Sequence, residues 1–93
     1  MTTHAIATMK ITAPETLAAY REKAAQALAR HGGSVLQASA KLDLIEGDAG
    51  LPDAAALLAF PDRDAALAWI NDPELASVHA LRRGGGQSSI ILL

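Results

Sequence analysis

Residues 47–75 read GDAGLPDAAALLAFPDRDAALAWINDPEL, and the fold turns on how this stretch is divided. Gly47, Asp48, Gly50, Pro52 and Asp53 crowd into seven residues. Glycine supplies backbone freedom, proline fixes φ and aspartate bonds its own backbone, so 47–53 reads as a turn. The next run, Ala54–Phe60, is apolar on both faces and reads as a strand returning from that turn as a hairpin arm. Pro61-Asp62 stops it, and Asp62 is placed to cap a helix through Ala65, Ala66, Leu67, Ala68 and Trp69. Asn71-Asp72-Pro73-Glu74 is a second capping signal with Pro73 at a first helical position. The helix therefore breaks and restarts before Leu75, Val78 and Leu81, and Gly84-Gly85-Gly86 ends it.

Toward the N-terminus, HAIATMKI (4–11) reads as a strand with neither face cleanly polar. A helix starts near Pro14, where Thr12 or Ala13 can cap and Glu15 meets the positive end of the helix dipole. Its apolar stripe is Leu17, Tyr20, Ala24, Ala27 and Leu28. Gly32 and Gly33 supply the helix stop, with His31 in the last turn, where positive charge is favoured. From Ser34 to Gly47 an apolar set, Leu36, Ala38, Ala40, Leu42 and Leu44, alternates with polar residues, so one long strand with one buried face is expected. Its charges suit a sheet edge. SSIILL (88–93) reads as the last strand.

The order β-α-β-β-α-β over residues 1–93 predicts one α+β domain of the ferredoxin-like kind, a four-stranded antiparallel sheet with two helices on one face. Strands apolar on both sides would then leave a bare apolar face on the order of several hundred Å², more than soluble monomers usually expose. The same face of a second copy is its simplest cover, so a homodimer through the helix-free sheet face is expected.

Composition narrows the partners. The chain carries 8 Lys and Arg against 10 Asp and Glu, a net charge of -2, with a pI near 5.8. No basic footprint for nucleic acid or an anionic membrane surface is present. With no cysteine, disulfides and thiolate metal sites are excluded. No apolar stretch approaches a bilayer span and no positively charged start precedes an apolar run, so a cytoplasmic location is the default expectation. No metal-ligand spacing such as His-x-x-x-His occurs. Gly84–Gly86 follows a helix and precedes a strand, the reverse of a phosphate loop, so no metal and no cofactor are expected.

HGG at 31–33, LIEGD at 44–48 and above all FPDRDAALAWINDPEL at 60–75 resemble the family called domain of unknown function 1330. The resemblance spans nearly the whole chain and implies membership of the dimeric α/β barrels, ferredoxin-like dimers that also include cofactor-free monooxygenases, muconolactone isomerases and haem-degrading enzymes. It transfers a fold and a dimer, not a reaction. The chain departs from the family pattern at Asp62, Ile70 and Leu75, where members commonly carry Ser, Tyr and Tyr, so a phenol-lined pocket is not implied.

Two functions of different class follow. One is small-molecule binding or catalysis in a pocket between sheet and helices, with His31, Tyr20, Trp69, Glu46 and His79 as lining candidates; it predicts a cavity. The other is a dimeric structural or interaction module without a reaction, and it predicts a filled core. Each candidate also has a plain structural reading. His31 suits a helix C-terminus, Trp69 a thin core, Glu46 a solvated strand end, and His79 a helix surface or the dimer partner. His31 and Glu46 fall toward opposite ends of the long strand, so sequence does not bring them together. Arg63, Arg82 and Arg83 read as solvated charges at helix ends.

Overall fold

A computed structural model describes all residues 1–93. The chain runs through β1 (Thr3–Ile11), α1 (Pro14–Ala29), β2 (Ser34–Ser39), β3 (Ala54–Phe60), α2 (Arg63–Asn71), a 3-10 turn (Pro73–Leu75), α3 (Ala76–Gly84) and β4 (Gly86–Leu92). The strands form one antiparallel sheet in the order β2-β3-β1-β4. This is the ferredoxin-like arrangement, with the second helical segment broken at Asp72-Pro73 as the capping residues predict.

The caps work as sequence chemistry requires, with one exception. Asp62 Oδ1 accepts the Ala65 N–H at 2.7 Å to start α2. Asp72 Oδ1 accepts the Glu74 N–H at 2.9 Å to start the 3-10 turn. At α1 neither Thr12 nor Ala13 caps with a side chain. Both instead donate their backbone N–H groups to the Gly85 carbonyl, at 3.0 and 3.1 Å, which ties the start of α1 to the start of β4.

The long second strand is not observed. β2 ends at Ser39, and residues 40–53 carry no strand. Two local causes stop it. A register shift between Val35 and Gln37 leaves Leu36 outside the ladder, and β3, whose first residue is Ala54, extends only one residue past the last pair, Ser39↔Ala55. Ser39 then folds back on itself, its hydroxyl accepting the Lys41 N–H at 3.0 Å and donating to the Lys41 carbonyl at 2.9 Å. Such local bonds compete directly with a ladder. The expected buried face is also absent, since every residue of β2 is exposed.

The register sorts the two faces of the sheet. Ala5, Ala7 and Met9 pair with Leu58, Ala56 and Ala54 and face the helices. Ile6 pairs with Leu57 on one side and Ile91 on the other, on the helix-free face, and Ile6 and Ile91 remain 38% and 57% exposed. The core under the helices gathers Phe60, Trp69, Leu28, Leu58, Ala66 and Val78.

The RHGGSVL turn at 30–36 closes α1 with the paired bonds of a Schellman motif: Gly33 N–H to Leu28 O at 2.8 Å and Gly32 N–H to Ala29 O at 3.0 Å. Gly32 takes φ +73°, and a Cβ there would stand 2.7 Å from Pro61 Cγ. Gly32→Ala is therefore expected to lower stability by about 1–2 kcal/mol in denaturant titration. A loss below about 0.5 kcal/mol, the range of ordinary surface changes, would show that the left-handed turn is not required.

Candidate functional site

A cavity of about 490 Å³ opens between the sheet and α1, within the roughly 300–1,000 Å³ usual for small-molecule sites. Alanine makes it. Ala7 lies opposite Ala56 across the two central strands, and Ala54 continues the row beside them. With Ala24 of α1 facing the same space, methyl groups stand where larger side chains would close the gap. Leu17, Leu28, Leu58 and Ile90 complete a mostly apolar wall.

Among the polar side chains of the wall, Tyr20, Trp69 and Arg82 stand together. Arg82 is only 5% exposed, which corrects its reading as a solvated helix-end charge; Arg63 and Arg83 are exposed as expected. Its guanidinium carbon lies 5.7 Å from the Tyr20 ring centre and 5.4 Å from that of Trp69, a clamp of two π faces. Arg82 Nη1 donates to His79 Nδ1 at 2.7 Å, and His79 Nε2 donates to the Trp69 carbonyl at 2.9 Å. Because the guanidinium can only donate and the carbonyl can only accept, these bonds fix His79 as the neutral tautomer protonated at Nε2. His79 is 2% exposed, not on the helix surface or against a partner. The reason is periodicity: Leu75, Val78, His79 and Arg82 form one stripe at helical spacing, and that stripe faces the core.

Trp69, 3% exposed, packs on Phe60 with ring centres 5.5 Å apart and meets His79 edge-on at 4.8 Å. It is at once core and cavity wall. Tyr20 lines the cavity half-buried.

His31 lies elsewhere. Its Nε2 donates to Asp72 Oδ2 at 2.8 Å, the oxygen that Arg30 Nε also reaches at 3.0 Å, while Arg30 Nη2 pairs with Glu74. Asp72, absent from the sequence-derived candidates, thus caps the 3-10 turn with one oxygen and anchors the end of α1 with the other. His31 and His79 do not meet, and Glu46 stands exposed in the 40–53 segment, away from His31 and from the cavity. The structure brings together Tyr20, Trp69 and His79, joined by Arg82. The signal for Arg82 was its place on the 75-78-79-82 stripe. No three His, Asp or Glu side chains converge as a metal site would require.

Fold and cavity together define a ferredoxin-like α+β domain with an alanine-lined space under its helices. The chain belongs to the family described as Domain of unknown function (DUF1330), whose profile matches residues 2–93. It is similar to a protein of unknown function from Rhodopseudomonas palustris, at 22% identity and TM-score 0.73, covering 99% of this chain and 80% of that one. SnoaB, a cofactor-independent oxygenase from Streptomyces nogalater, is similar at 15% identity and TM-score 0.67, with 99% and 89% covered. A dimeric ferredoxin-like protein of unknown function from Jannaschia sp. CCS1 is similar at 10% identity and TM-score 0.67, with 100% and 98% covered. At these identities the likeness is one of fold. No curated protein matches the chain.

Burial first, then the charges of Arg82 and Arg83, push the His79 pKa below its ordinary 6.5, against the opposing pull of the Trp69 carbonyl. The unfolded chain therefore takes up this proton before the folded one does. The stability contributed by neutral His79 is complete above pH 6.5 and declines as pH falls from there toward the lower folded value, by at most about 1.4 kcal/mol per pH unit. Between pH 7.5 and 5.5, His79→Gln is expected to lose less stability in denaturant titration than the wild type, carboxylate effects being common to both. Equal losses would show that His79 is not the buried neutral group.

Proposed function

We propose that the protein is a single-domain homodimer in which each subunit binds one small, largely apolar molecule between sheet and helices. The cavity carries the proposal: a filled core is what a purely structural module requires, and about 490 Å³ of alanine-lined space is the opposite. SnoaB supports it as a similar fold that serves small-molecule chemistry. No reaction is assigned, because no nucleophile and base converge at the cavity. The cytoplasmic location expected from the sequence is part of the same proposal; no helix is long and apolar enough to cross a membrane.

The test uses 2-methylnaphthalene, a neutral probe without a hydrogen-bonding group. Trp69 is the only tryptophan, so its single indole N–H resonance reports on the cavity wall. Titration should shift that resonance saturably in the wild type and not in Ala56→Leu, which is expected to fold with stability within about 1.5 kcal/mol of wild type because it grows into free space. No shift in the wild type, or a loss in the variant beyond about 1.5 kcal/mol as overpacking of a filled core gives, would reject the cavity as a binding site.

For the dimer, support comes from the row Leu57, Ile6 and Ile91 across the helix-free face, of which Ile6 and Ile91 are exposed, and from similar structures described as dimeric. Light scattering at micromolar concentration should give twice 9.6 kDa, and Ile6→Lys combined with Ile91→Lys should give 9.6 kDa with the helical spectrum retained. A wild-type monomer, or a dimer indifferent to both lysines, would place the contact elsewhere or nowhere.

A further inference from the structure

We propose that the ligand is an organic anion, an apolar body bearing a carboxylate or equivalent acidic head group that pairs with Arg82 against the indole N–H of Trp69. This deepens the cavity reading and rests on it.

Three independent features support the assignment. First, Arg82 is a buried cation without a counter-charge. The ion pairs of the chain join Arg30 and His31 to Asp72 and Glu74, and none reaches Arg82; its one side-chain partner, His79, is neutral. A buried charge is normally paired, since desolvation costs several kcal/mol that a neutral acceptor and two ring faces offset only in part. Second, Arg82 Nε and Trp69 Nε1 are buried N–H donors without any acceptor, and both side chains line the cavity. Buried donors left unsatisfied are uncommon enough to require a cause, and two on adjoining cavity-wall residues share one: an acceptor supplied from outside the chain. Both atoms are sealed from solvent, so engagement by a head group requires the guanidinium to move from its place beside the Tyr20 and Trp69 rings. Third, the only charged residues on the cavity wall are Arg82 and, on α1, the exposed Arg21. A wall with two positive charges and no acid, in a chain of net charge -2, favours anions at close range whatever the overall charge. A planar two-oxygen head fits because the guanidinium presents a planar fork of donors.

The test compares 2-naphthoate with 2-methylnaphthalene, which share the ring system and differ in the head group. In the wild type, calorimetry should show naphthoate binding at least tenfold more tightly; both probes should perturb the Trp69 indole N–H resonance, but only naphthoate should move it downfield and move one arginine Nε–H with it. Arg82→Met should abolish the preference, bringing the affinities of the two probes within twofold of each other. Where that variant does not fold, Arg82→Lys keeps the charge without the fork and should reduce the preference at least threefold. Equal wild-type affinity for the two probes would overturn the anion assignment and leave the cavity reading standing. A preference for naphthoate that survives change of Arg82 would overturn it as well. Binding of neither probe would remove the cavity reading and the inference with it.

Discussion

Trp69 is the contact on which the rest of this small structure depends. The chain has one Trp, one Phe and one Tyr, and all three meet around it. Its ring packs on Phe60 of β3 and against the edge of His79 of α3, and it shares the Arg82 guanidinium with Tyr20 of α1. Its backbone carbonyl holds the His79 proton. One residue of α2 therefore joins the sheet to every helix. Aromatic side chains bury far more area than the alanines around them, and in a chain this poor in aromatics their position decides where the core is solid.

The cavity follows from the same distribution. Phe60, Trp69 and Leu28 fill the space near the end of β3, whereas the start of β3 offers Ala54 and Ala56, with Ala7 beside them and Ala24 above. The early end of β2 belongs to this picture. Val35 and Ala38 border the cavity, and β2, an edge strand with an unpaired Leu36, has no helix pressed on it tightly enough to bury a side chain. An exposed edge strand and an open space under the neighbouring strands are one deficit of large side chains seen from two directions.

The sequence carried the element order clearly, because its signals are local. Pro61-Asp62 and Asp72-Pro73 act within three residues of themselves, and the Asp62 and Asp72 bonds are those their positions require. The apolar pattern of Ala54–Phe60 likewise needs no partner to be legible. The extent of β2 was not legible, since alternation through Leu44 describes what a strand from Ser34 to Gly47 would bury if a partner were present. The partner begins at Ala54, a fact of pairing rather than of composition. Among the candidate site residues, Tyr20 and Trp69 are where a pocket under the helices places them. Glu46 went astray with the strand that was to carry it. Arg82 was hidden by its type: charge at a helix end is ordinarily solvated, and only its spacing from Leu75, Val78 and His79 marks it as inward-facing.

His31 and His79 show how environment, not residue type, sets a role. His31 meets a carboxylate that Arg30 also holds, so its bond ties the end of α1 to the break between α2 and the 3-10 turn, and the RHGG stretch is an anchor as well as a stop. His79 meets a guanidinium, which can only donate. It must therefore offer a bare Nδ1, which it does by giving its one proton to the Trp69 carbonyl. A protonated His79 would set N–H against N–H and place a second charge beside Arg82, so the neutral ring is what permits the cation to remain inside. An Asp or Glu at position 79 would neutralise Arg82 outright. Histidine there satisfies one guanidinium nitrogen and leaves the charge itself uncancelled, facing the cavity wall.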